Sequence, residues 1–134
     1  MNKVALVVGG GQTLGAFLSE GLAKEGYDVV VADLNQESAV GTAKDIEGKY
    51  KVSTLGVKVD AANEDDVNKM MDAIKEKFGR VDLLVYSAGI ARSHKITNFP
   101  LADWNLSMAV NTTGYFLCAR EVSKLMIEKK VLIK

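Results

Sequence analysis

Gly9, Gly10 and Gly11 follow the apolar run Val4 to Val8, and a fourth glycine stands at Gly15. Glycines let a chain turn sharply and let a phosphate approach the backbone without meeting a Cβ. The free N–H groups and positive end of a helix starting there would favour a pyrophosphate. The spacing G-x-G-x-x-G does not occur in this stretch, and a glycine turn also arises for packing alone. Asp33 shifts the balance. It ends a second apolar run roughly 20 residues beyond the turn, where a carboxylate can bond both hydroxyls of an adenosine ribose. The same charge repels a 2′-phosphate, and neither Gln12 nor Leu34 supplies a compensating cation, which favours NAD over NADP. An aspartate can equally open a turn or a helix. Turn and acid together, in this order, favour dinucleotide binding.

Other reactive side chains offer less. His94, the only histidine, lies in a polar stretch with no Cys or carboxylate in metal spacing, so it reads as a solvated loop residue. The five methionines, Met70 and Met71 among them, read as core filler.

These residues need a scaffold. Val4–Val8 is a β-branched run of the kind buried on both faces of a sheet. Leu14, Phe17, Leu18, Gly21 and Leu22 recur at helical spacing, and Gly26 ends that helix. Asp28 to Asp33 predicts a second strand, Val40, Ala43 and Ile46 a weaker helix running to Tyr50, and the stretch ending at Asp60 a third strand. Asn63 is a good N-cap, with Glu64, Asp65 and Asp66 suited to the positive helix end. Val67, Met70, Met71, Ile74 and Phe78 form the apolar stripe of that helix. Val81 to Gly89 predicts a fourth strand and a small-residue turn. A looser segment with the only proline, Pro100, leads to a long helix from about Ala102 to Lys129. Val131 to Ile133 begins a possible fifth strand. Strand and helix alternate without a hairpin signal, which requires crossovers between parallel strands. The expected class is α/β: a doubly wound, mostly parallel, Rossmann-like sheet in a single domain, 1–134.

Composition bounds the partners. The chain has 134 residues, with 17 Lys+Arg against 17 Asp+Glu, so nothing favours nucleic acid or an anionic membrane. Cys118 is the only cysteine, which excludes an intramolecular disulfide and suits a reducing cytoplasm. No signal peptide or bilayer-spanning segment is expected.

Two further stretches, Gly79 to Ala91 ("GRVDLLVYSAGIA") and Trp104 to Arg120 ("WNLSMAVNTTGYFLCAR"), strongly resemble short-chain dehydrogenase/reductases. The match runs through the whole chain. The resemblance implies an NAD-dependent oxidoreductase, within a branch acting on sugar-alcohol phosphates. Gly9 and Gly15 take the outer glycine positions of the family's T-G-x-x-x-G-x-G turn, which also contains Gln12 and Leu14. Thr13 stands at its middle glycine, implying a backbone conformation that a Cβ tolerates. Asp33 matches the ribose-binding acid. Asp60, with Ala61, matches the aspartate reaching the adenine amino group, and its bland alternative is a loop residue before the Asn63 cap. Ala88 and Gly89 would meet the cofactor through their backbone. Tyr86 and Ser87 replace two asparagines, which implies weakened support between strands. Asn111 matches the asparagine that perturbs a helix so that its carbonyl holds a water in a proton relay.

Hydride transfer at an alcohol needs an acid/base for the hydroxyl proton. The family uses a tyrosine followed four residues later by a lysine, plus a serine on the fifth strand. Val31, Thr54, Ile90 and Ala119 follow the four tyrosines at that spacing, and Lys134 precedes the expected serine. These residues are therefore expected to bind NAD without turnover, as a fold cut after four to five strands. The alternatives are a non-catalytic adenine-nucleotide module and a structural fragment with an empty turn. Tyr115 to Ala119 is apolar at five successive positions and goes right round its helix. In the family that helix lies in a subunit interface, so a homo-oligomer through residues 102–129 is expected.

Overall fold

The computed structural model describes residues 2–131. Strands β1 (Val4–Val8), β2 (Asp28–Asp33), β3 (Thr54–Lys58) and β4 (Leu83–Tyr86) form one sheet in the order β3-β2-β1-β4, with every pairing parallel. The side chains alternate between two cores, as strand geometry requires. Val7, Val29 and Val31 meet Ala23 of α1 (Thr13–Lys24) and Ala39, Ala43 and Ile46 of α2 (Gln36–Tyr50). Leu6, Val8, Val30 and Ala32 meet α3 (Glu64–Lys77) through Val67, Met70 and Ile74, and a late helix through Leu117, Cys118 and Val122. Both faces are covered, which explains the uninterrupted apolar runs.

The strand order reverses at β1, with β2 and β3 on one side and β4 on the other. Register levels Val8 with Ala32 and with Tyr86, so three strands end together. Asp82 ties the other end of this seam: its carboxylate accepts from the Val4 N–H at 2.8 Å and from Arg80 Nε at 2.9 Å. Burial pushes its pKa up, but Arg80 and the Val4 N–H more than offset this and hold the carboxyl below its usual value.

Helix α1 forms where expected but buries a different face. Its buried residues are Gly15, Ser19 and Ala23, whereas Phe17 is 76% exposed and Leu14 faces solvent. Small residues spaced by four let the helix lie close to the turn, and the larger ones are displaced outward. Helices α2 and α3 start on side-chain caps, Asn35 accepting from the Ser38 N–H and Asn63 from the Asp66 N–H.

The long helix expected over 102–129 is three pieces: α4 (Leu101–Met108), a π turn (Ala109–Thr113) and α5 (Gly114–Glu128). A π turn adds a residue per turn, so α5 leaves on a different face from α4. Leu117 and Cys118 face the sheet while Tyr115 and Phe116 stay exposed, as a fully apolar circumference requires. The fifth strand expected from Val131 falls largely outside the described residues; Val131 itself donates its N–H to the Met126 carbonyl at 2.8 Å. No helix among the described residues is long and apolar enough to cross a membrane.

Burial pushes the Cys118 thiol up to about 11. A folded pKa raised above the unfolded one stabilises fully at lower pH, and that contribution is lost as pH rises through the folded value. Cys118 should therefore resist a thiol reagent at pH ~8 at least ~100-fold better folded than unfolded, because only the exposed thiolate reacts. Labelling followed by mass spectrometry, with and without denaturant, checks this.

Candidate functional site

The level ends of β1, β2 and β4 open onto a cleft of about 250 Å³. Gly9, Gln12, Thr13, Asp33, Asp60, Ala61, Ala88 and Gly89 line it, all of them singled out from the sequence. Val8, Leu34 and Ser87, named from the sequence as neighbours of those residues, also line it, and Val59, Ile90 and Val110, which were not anticipated, complete the wall. Val59 and Ser87 follow their strands directly, a positional signal available in principle. Val110 arrives through the π turn, whose sign in the sequence is Asn111, matched by resemblance to an asparagine that perturbs a helix.

The glycines first serve the turn itself. Gly9 has φ +83°, and a Cβ on it would lie 2.5 Å from the Ala88 nitrogen. A Cβ on Gly15 would lie 1.8 Å from the Gly9 carbonyl oxygen, so helix and turn meet only through glycine. The Gly9 and Gly10 N–H groups both donate to the Ala32 carbonyl, at 2.7 and 3.0 Å. Gly11 N–H donates to Asp33 Oδ2 at 2.9 Å, and Thr42 Oγ1 to the Gly11 carbonyl at 2.9 Å. Ser19 Oγ donates to the Gly15 carbonyl at 2.9 Å, and Gln12 Nε2 to Ser38 Oγ at 2.8 Å. The backbone donors left without a partner are therefore those of the first turn of α1. Unlike α2 and α3, α1 begins without a side-chain cap and without an acid in its first turn. Orphan N–H groups of this kind suit an anion.

Asp33 is fixed by backbone on both oxygens, since Oδ1 also accepts from the Asn35 N–H at 3.1 Å. Each carboxylate oxygen accepts more than one hydrogen bond, so this leaves capacity for a hydroxyl. Asp60 Oδ1 accepts from the Ala62 N–H at 3.1 Å, and its own N–H donates to Asp66 Oδ2 at 2.9 Å. Leu14 lies outside the lining, exposed beside it, and Gly15 is buried behind the turn.

Thr13 departs from expectation. Its φ is +48°, in the left-handed region that a β-branched residue resists, rather than a conformation a Cβ tolerates. Relieving such strain stabilises by about 1–2 kcal/mol, while glycine's extra freedom when unfolded costs ~0.5–1 kcal/mol. Thr13→Gly should therefore raise the melting temperature by a few degrees, measurable by calorimetry.

Asn111 sits inside the π turn and does not line the cleft. Its carboxamide grips Ile90 at both backbone atoms, Oδ1 accepting from the N–H and Nδ2 donating to the carbonyl, each at 2.9 Å. The support expected to be weakened at Tyr86 has another form: its hydroxyl donates to the Val110 carbonyl at 2.5 Å. Burial, with smaller contributions from Cys118 and Asp60, pushes the Tyr86 phenol up to about 12, so it remains a donor. His94 has the carboxylate partner its neighbourhood in sequence did not reveal. Its Nε2 lies 2.7 Å from Asp103 Oδ2 on α4, nine residues on. Among the described residues no group of three His, Cys, Asp or Glu is arranged to hold a metal.

Residues 3–131 match the short chain dehydrogenase family model. Sorbitol-6-phosphate 2-dehydrogenase of Escherichia coli (strain K12) is 53% identical over 95% of this chain and 49% of its own length. The crystal structure of sorbitol-6-phosphate 2-dehydrogenase from Erwinia amylovora superposes with a TM-score of 0.91 at 56% identity, covering 93% of this chain and 49% of that one. L-sorbose reductase from Gluconobacter frateurii, solved with NADPH and L-sorbose, gives 0.91 at 26% identity over 96% and 49%. The chain spans about half the length of the curated relatives it matches. With four parallel strands, a glycine turn at the point of reversal and a match through nearly its whole length, the chain belongs to the short-chain dehydrogenase family.

Proposed function

We propose that this chain is the NAD-binding part of an oxidoreductase acting on a sugar-alcohol phosphate, sorbitol 6-phosphate and fructose 6-phosphate being the pair. The observation that carries the reading is one cleft with an uncapped helix start on one side and the Asp33 carboxylate on the other. The pyrophosphate would take the first-turn N–H groups of α1, beside the Gly9 backbone that lines the cleft. Asp33 would accept from the adenosine ribose and disfavour a 2′-phosphate, there being no cation among Gln12, Leu34 and Asn35. Asp60 and Ala61 would flank the adenine, and Ala88 and Gly89 would carry the second nucleotide across β1. Bound NAD would supply the hydride acceptor.

The proton of the alcohol needs a separate group, and these 134 residues contain no Tyr-x-x-x-Lys. Asn111 is the one residue of the family's relay that they hold. The chain alone therefore binds NAD without oxidising the alcohol, and the domain 1–134 is a binding unit. The exposed Tyr115 and Phe116 on α5 support association of copies through that helix. A cytoplasmic location suits the single, reduced cysteine.

Thermal unfolding tests the reading. NAD at about 100 times its Kd should stabilise the chain by about 2.7 kcal/mol. Adding sorbitol 6-phosphate should then yield no NADH absorbance. A melting temperature unmoved by millimolar NAD would contradict the binding, and steady NADH formation would contradict the absence of turnover.

A further inference from the structure

Gly114 starts α5 in ordinary right-handed helical geometry, φ −60° and ψ −43°. Neither a positive φ nor a turn requires glycine there, and helix propensity opposes it. The requirement comes from across the fold. A Cβ at Gly114 would lie 2.3 Å from the Tyr86 hydroxyl, and 3.2 Å from the Ala61 Cβ. Glycine makes room for a tyrosine that ends β4 and reaches into the π turn. Its ring stacks edge-on against Tyr115, centroids 5.7 Å apart at 71°.

We infer that Tyr86 is a positioning residue: by donating to the Val110 carbonyl it holds the π turn in place, so that Asn111 can clamp Ile90 and fix the β4-side wall of the cleft. Each link is a direct contact. Tyr86 Oη meets Val110 O at 2.5 Å, Asn111 follows Val110 in the same turn, and Asn111 meets both backbone atoms of Ile90. Val110 and Ile90 are themselves wall residues. A π turn departs from the α-helical ladder and readily admits a foreign side-chain donor. The phenol stays protonated throughout the usable pH range, so the donor is permanent. In the dinucleotide reading, on which only this consequence rests, the wall is where the second nucleotide lies and Asp33 holds the first.

Amide hydrogen exchange by NMR tests the positioning without any ligand. In Tyr86→Phe the Ile90 N–H should exchange at least tenfold faster, while Leu6 in the middle of β1 keeps its wild-type rate. An Ile90 rate equal to wild type would overturn the inference. So would equal acceleration at Ile90 and Leu6, which marks a general packing role. Gly114→Ala displaces the hydroxyl while keeping the tyrosine, and should accelerate Ile90 similarly. Combined with Tyr86→Phe it should add little further, because both act on one contact; additive effects would overturn the shared contact. With nucleotides, Tyr86→Phe should weaken NAD at least fivefold more than AMP, and equal weakening would overturn the link to the second nucleotide. Wild-type chain that binds neither nucleotide contradicts the proposed function, and the exchange result still decides the role of Tyr86.

Discussion

Asp33→Ala is expected to weaken NAD binding about 100-fold, because it removes charge-assisted hydrogen bonds worth ~1.5–3 kcal/mol each. Two effects combine. The ribose hydroxyls lose their acceptor, and the Gly11 and Asn35 N–H groups lose theirs, which loosens the turn. Asp33→Asn separates them, since its carbonyl oxygen retains one acceptor for the turn but no charge. It should bind NAD with intermediate affinity and discriminate less against NADP, because the repulsion of a 2′-phosphate is gone. Calorimetric titration of both variants with both dinucleotides reads the outcome. Unchanged NAD affinity in Asp33→Ala would mean that the carboxylate serves the turn alone.

Gly15→Ala and Gly21→Ala should have opposite signs although they are the same substitution in the same helix. Alanine is favoured over glycine in a helix interior by about 1 kcal/mol. At Gly21 a Cβ meets nothing within 4 Å, so that preference should appear as increased stability. At Gly15 the Cβ would overlap the Gly9 carbonyl at 1.8 Å, with the Gly9 carbonyl carbon 2.7 Å away. These are backbone atoms and cannot rotate aside, so helix and turn must separate. Overpacking of this kind costs ~3 kcal/mol or more, which outweighs the helix preference. The melting temperature should fall by about 10 °C, and nucleotide affinity should fall with it because Gly9 moves. Thermal unfolding of the two variants side by side checks both signs.

Much of this arrangement is legible in the sequence because its signals are local. Val4–Val8, Asp28–Asp33 and the run from Val81 into the turn at Gly89 read as strands, and the cap at Asn63 with its following acids reads as a helix start. Gly9 and Asp33 are each tied to a strand end, so their meeting follows once the strands are parallel neighbours. What escaped depends on partners far apart along the chain. The Tyr86–Val110 and Asn111–Ile90 contacts join residues more than twenty positions apart, and the Thr42–Gly11 bond spans thirty-one. His94 finds Asp103 only because a loop folds back on α4. In α1 periodicity marked Leu14 and Phe17, yet close approach to the glycine turn gives the buried face to Gly15, Ser19 and Ala23. Thr13, at the family's middle glycine, reads as a position where the backbone tolerates a Cβ, and its left-handed φ is imposed by the turn around it.

Titration calorimetry of the folded chain with NAD and then NADP decides whether the glycine turn and Asp33 form a working cradle for NAD. A working cradle gives saturable binding of NAD and much weaker binding of NADP. A folded chain that binds neither, or that prefers NADP, would contradict it.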